Sequence, residues 1–125
     1  MENIHEIKGG EFDCDEETLD LDYALAAYIL PRLKEFKRKS NKNSYPMSVV
    51  YNTGISPLLI MEEPTPEQRE KYSREWQSRL DEMIWAMETR YKGESELSDY
   101  NDKEIEERMI NGFNLFGQHF LDLWI

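Results

Sequence analysis

Apolar residues return at helical spacing in three places along this chain. Leu19, Ala26, Ile29, Leu30, Leu33 and Phe36 share one face if residues 18–39 wind as a helix, because positions three and four apart stack on the same side. A second stripe, Tyr72, Trp76, Leu80, Met83, Ile84, Met87 and Tyr91, predicts a helix over 66–91. A third, Ile105, Met109, Phe113, Phe116, Phe120, Leu123 and Trp124, predicts one over 102–124, with Trp76, Phe116 and Trp124 expected to be buried. The second helix also carries the clearest start signal. Thr65 can cap it, Pro66 suits the first helical position, and Gln68 completes a capping box. Gly93 is the expected stop.

Between the first two stripes the pattern changes. Residues 41–64 hold turn signals around two β-leaning runs, Ser48–Tyr51 and Leu58–Met61, which predicts a short β-hairpin or an ordered loop. Residues 1–17 are polar and acidic, and read as a mobile arm with room for one short pairing segment. The fold class that follows is mainly α: a small three-helix bundle with a short loop or β-hairpin insertion between helices 1 and 2. It forms a single domain over 18–125.

Composition narrows the setting. At 125 residues the chain has room for one modest core, and 12% aromatic residues can fill it. No run approaches the ~20 apolar residues of a membrane span, and the first residues lack a signal peptide's pattern. Cys14 stands alone, which excludes an internal disulfide framework. A soluble intracellular protein is the expectation. Twenty-six acids against fifteen bases, a net charge of −11, argue against direct nucleic-acid binding, whose affinity comes mainly from neutralising phosphates. An acidic surface can serve solubility, attract a basic partner or imitate nucleic acid.

Against that charge, Arg32, Lys34, Lys37, Arg38, Lys39 and Lys42 gather six of the fifteen bases in eleven positions. Pro31 precedes them inside the first helix, where it removes a backbone donor and is expected to kink the chain. Tyr28 and Arg32 lie one turn apart, off the apolar stripe. A ring beside a guanidinium fork suits a planar base near a phosphate. The competing reading is a solvated helix end paired with the protein's own acids and placed where the helix dipole favours cations. Trp85 sits roughly opposite Trp76, so it either completes a second core layer, lines a pocket or forms an oligomer contact. Tyr45 and Trp85 are the candidate stacking walls for a ligand held by Tyr28, Arg32, Lys34 and Lys37.

Signals for catalysis are weak. His5 and His119 have no evident metal partner, and Asp13, Asp15, Asp20 and Asp22 lack the glycine and terminal glutamate of a calcium loop. Cys14 has no basic neighbour to activate it. No phosphate-binding glycine loop or nucleophile elbow is present. Neither enzyme activity, nor a metal, nor a cofactor is expected.

Three blocks together resemble a family of small proteins encoded by bacteriophages and prophages. They are DYALAAYILPRLKEFK (Asp22 to Lys37) followed by Tyr45 and Pro46, EWQSRLDEMIWAME (Glu75 to Glu88), and NGFNLFGQHFLDLW (Asn111 to Trp124). They cover about two-thirds of the chain. Residues 47–63 look like an insertion relative to that pattern, and Phe113 stands where the family tends to have leucine. The resemblance implies a phage protein acting in the host cytoplasm, with counter-defence as its expected task. Two functions from different classes follow, the first preferred because the shared pattern includes the basic-aromatic block and the second kept as the alternative. One is a binding protein that sequesters a nucleotide-derived immune signal through the Tyr28–Lys37 block. The other is an acidic, nucleic-acid-mimicking inhibitor of a host defence nuclease. A structural accessory of the phage is a third possibility. A homo-oligomer is expected, because the aromatic residues off the three stripes exceed what a monomeric bundle hides.

Overall fold

A computed structural model describes residues 18–40, 44–52, 63–96 and 102–124. The arm at 1–17 and the second β-leaning run, Leu58–Met61, lie outside the described residues. Among the described residues there are four α-helices: α1 (Leu21–Lys39), α2 (Met47–Asn52), α3 (Pro66–Glu96) and α4 (Lys103–Gln118). A single 3₁₀ turn, Phe120–Asp122, follows α4. Among the described residues there is no strand, so the fold is mainly α.

Helix α3 is the spine, and α1, α2 and α4 all pack on it. Its capping box forms as its sequence predicts. The Thr65 N–H donates to Gln68 Oε1 at 2.9 Å, and the Gln68 N–H donates to Thr65 Oγ1 at 3.1 Å. Tyr72, Trp76, Leu80, Met83 and Met87 are buried from this helix. Ala26, Leu30 and Leu33 meet them from α1, and Val49 and Val50 from α2. Phe36, Tyr45, Leu115, Phe116 and Leu123 close the margins of the same cluster. Helix α1 runs antiparallel to α3, as paired contacts at its two ends show: Asp22 reaches Arg90, and Lys37 reaches Asp81. Helix α4 is antiparallel as well, with Arg108 on Glu82 and His119 on Trp76.

Four expectations are corrected. The run Ser48–Tyr51 is helical, within α2. Its two consecutive valines both turn to the core, an arrangement that the alternating faces of a strand forbid. Gly93 does not stop α3, which continues to Glu96; glycine permits a stop but costs a helix only about 1 kcal/mol in passing. Leu19 is 84% exposed because Asp20 leaves helical geometry, at φ −126°, and breaks the stripe's period. Trp124 is 76% exposed and Phe120 59%, because α4 ends at Gln118 and the 3₁₀ turn swings these two off the core face while Leu123 stays on it. Helix α1 passes through Pro31 without interruption.

One contact sets how closely α4 approaches α3. Gly112 is buried, and a Cβ built on it would stand 2.5 Å from the Ala86 Cβ and 2.6 Å from the Glu82 carbonyl oxygen. Neither neighbour is a flexible side-chain end, so the helices must separate to admit a methyl group. Gly112→Ala is expected to destabilise the fold by about 1–3 kcal/mol. Denaturant unfolding that matches wild type would show that α4 can shift freely.

Candidate functional site

The residues singled out as a ligand site do not converge on one cavity. Tyr28 and Arg32 do meet. The Arg32 guanidinium lies 3.6 Å from the Tyr28 ring centroid, and its Nη1 donates to the Tyr28 carbonyl at 2.7 Å. This bond forms one residue past Pro31, which has no N–H to offer the helix ladder. The pair sits on the exposed side of α1.

The rest of the cluster is engaged elsewhere. Lys34 Nζ is 3.3 Å from Glu88, and Lys37 Nζ is 3.2 Å from Asp81, both on α3. Arg38 makes two bonds to Glu35, at 2.9 and 2.6 Å, with Lys39 at 3.8 Å from the same carboxylate. The Arg38 bond holds the Glu35 carboxyl below its usual range. Lys42 lies outside the described residues. Tyr45 joins the core edge, 5.3 Å from the Tyr72 ring, and burial pushes its hydroxyl above the ordinary tyrosine value. Trp85 belongs to the α3–α4 side, where the Arg108 guanidinium covers its ring at 4.0 Å. Arg108 also makes two 2.9 Å bonds to Glu82, and that paired bond holds the Glu82 carboxyl below its ordinary value. Trp85, Asp102, Glu104, Ile105 and Arg108 line a shallow cavity of about 300 Å³.

A second polar centre was not legible from spacing. His119 is fully buried, edge-on to Trp76 with ring centroids 5.0 Å apart. Arg79 Nη1 lies 3.0 Å from its Nε2, and Asp122 Oδ2 lies 2.9 Å from its Nδ1. Arginine can only donate, so Nε2 accepts and the proton sits on Nδ1, facing Asp122. The Ser48 hydroxyl donates to Asp122 Oδ2 at 2.8 Å, and Glu75 holds the Arg79 Nε at 2.8 Å. Serine, histidine and aspartate do meet here, but not as a hydrolytic triad. Ser48 and Asp122 stand on the same ring nitrogen, and arginine occupies the one that would take a nucleophile's proton. The cluster is a clamp joining α2, α3 and the C-terminal turn. Beside it, Glu75, Ser78, Arg79, Asn111, Leu115 and Gln118 border a groove of about 460 Å³ between α3 and α4.

Of the acidic run, Asp22 is taken by Arg90, whose Nε donates at 2.6 Å and lowers its pKa. Asp13, Asp15, Cys14 and His5 lie outside the described residues. Among the described residues no group of three or more His, Cys, Asp or Glu could hold a metal ion. No described helix is long and apolar enough to cross a membrane. The chain matches no family model, no curated protein and no solved structure.

Two measurements probe this geometry. Asp122→Ala removes the acceptor facing a fully buried imidazole N–H and is expected to cost about 1–3 kcal/mol; unchanged denaturant unfolding would show the clamp to be idle. The Glu82–Arg108 pair gives a pH signature. A carboxyl depressed in the fold contributes stability above its unfolded value of about 4.3, and loses it as pH falls through the folded value. Both groups are partly exposed, so the effect is small. Glu82→Gln should melt about a degree or two below wild type at neutral pH, and the gap should close in acid. A gap independent of pH would point to packing instead.

Proposed function

We propose that this chain is a counter-defence protein of the bacteriophage type it resembles, acting in the host cytoplasm as an acidic, non-catalytic binding protein. Its partner is a basic surface on a host defence protein, such as the nucleic-acid channel of a nuclease. The observation that carries this reading is the use made of the cations. Lys34, Lys37, Arg38 and Lys39 lie against Glu88, Asp81 and Glu35, and Arg90 and Arg108 lie against Asp22 and Glu82. Four of the six cations in the basic run are thereby paired within the chain. Glu67, Glu70, Glu104, Glu106 and Glu107 are exposed, in a chain whose net charge is −11. Such a surface draws a basic partner over distance and excludes nucleic acid itself.

The second reading, capture of a nucleotide-derived immune signal, is favoured by one observation: the guanidinium of Arg32 is held over the exposed Tyr28 ring. A phosphate or base arriving there meets an oriented fork of donors. Against it, ligand sites of this kind are concave, and Tyr28 and Arg32 both lie on the exposed side of α1.

One experiment separates the two. Purified defence nucleases are assayed with the protein across a salt series, and nucleotide signals are titrated by calorimetry. Inhibition should weaken at least about tenfold between roughly 50 and 300 mM salt, and should weaken again in the Glu67→Lys, Glu70→Lys double variant. Salt-indifferent inhibition overturns the acidic-surface reading. Nucleotide binding that Arg32→Ala weakens by roughly ten- to a hundredfold, while Lys39→Ala leaves it intact, establishes the second reading instead.

A further inference from the structure

Helix α4 has two faces, and the other described elements pack on only one of them. Met109, Gly112 and Phe116 turn toward α3 and the core. Ile110, Phe113 and Gly117 fall on the other face, at helical spacing, and are exposed. Phe120, Leu121 and Trp124 extend that apolar surface past the helix end, Leu121 at 85% exposure. Aromatic residues bury about 150–250 Å² each when covered, so this face offers several hundred Å² toward the ~800 Å² per partner of a stable dimer.

We propose that this face binds a second copy of the chain, with α4 crossing the partner's α4 at Gly117 about a two-fold axis. This inference does not depend on what the acidic surface or α1 binds. Three observations choose a second copy as the occupant. First, the face is self-complementary. A two-fold axis near Gly117 brings the same exposed residues, Ile110, Phe113, Phe120, Leu121 and Trp124, to the junction from both copies, as an isologous contact requires.

Second, the charge is arranged to permit it. Two molecules of charge −11 repel, yet from Met109 to Leu121 the only ionisable residue is the buried His119. Asp122, the nearest carboxylate in sequence, is turned onto His119 and Ser48. Glu106 and Glu107 lie roughly 15–17 Å along the axis from Gly117, at about 1.5 Å per residue. That exceeds a Debye length of about 8–10 Å.

Third, nothing among the described residues uses the missing side chain at Gly117. Its backbone is not left-handed, and no described atom lies within 4 Å of where a Cβ would stand. Gly112, on the opposite face, shows what a glycine does on this helix: it lets a neighbouring helix approach at van der Waals distance.

The test is mass by light scattering over a dilution series reaching about 100 μM, where a dimer of micromolar Kd is populated. The expected mass is twice the 15.0 kDa of the chain. Gly117→Glu enters open space in the monomer and should keep the wild-type melting profile at high dilution while weakening self-association at least about tenfold. Phe113→Lys should act likewise, and Leu25→Lys, on the exposed side of α1, should leave the mass unchanged. A monomer mass at the highest concentration overturns the proposal. So does a dimer that survives Gly117→Glu and Phe113→Lys, or one lost only in Leu25→Lys.

Discussion

The apolar face of α3 is the surface on which every other described element rests. Trp76, Leu80 and Met83 are fully or almost fully buried there, and α1, α2 and α4 reach the core by packing on that helix. Each large apolar side chain buried in this way contributes about 1.5–3 kcal/mol. A helix of 31 residues has length enough to serve α1 along one side and α4 along another. The close approach at Gly112 then sets the depth of α4, and with it the orientation of everything beyond Met109.

Charge organises the surface around that spine. Asp22–Arg90, Lys34–Glu88 and Lys37–Asp81 join α1 to α3, and Glu82–Arg108 joins α3 to α4. Pairs this exposed contribute little stability singly, but they determine which charges still face outward. Four cations of the α1 run face carboxylates, and Glu67, Glu70, Glu104, Glu106 and Glu107 stay exposed. The run read alone leaves out the carboxylates of Glu35, Asp81 and Glu88 that four of its cations face.

The His119 clamp performs a different task. The 3₁₀ turn has few residues and little propensity of its own, and α2 is a single short helix. Ser48, Asp122, Arg79 and His119 tie both to α3 through part-buried hydrogen bonds around the fully buried imidazole, where a broken partner is costly. This bond set also ends the regular period of α4, and thereby turns Phe120, Leu121 and Trp124 outward.

The helical content, the start of α3 and the main core stripe were legible in the sequence because each rests on local terms. Thr65 and Gln68 are three residues apart and satisfy each other, and Tyr72, Trp76, Leu80, Met83 and Met87 share a face at any helical pitch. Tyr28 and Arg32 met as expected for the same reason, being one turn apart. What the sequence left undetermined depended on distant partners. Ser48–Tyr51 leans to strand by composition, yet the core presents a surface that takes Val49 and Val50 together, so the segment winds as helix. Tyr45 and Trp85 could not be placed from spacing: one docks on Tyr72 and the other lies under Arg108, far along α3. His119 and Ser48 are separated by 71 positions, and no periodicity links residues whose meeting is decided by how three helices stack. Local spacing determined which faces are apolar; the tertiary structure alone decided which of them are covered, because coverage depends on the angle and depth at which one helix meets another.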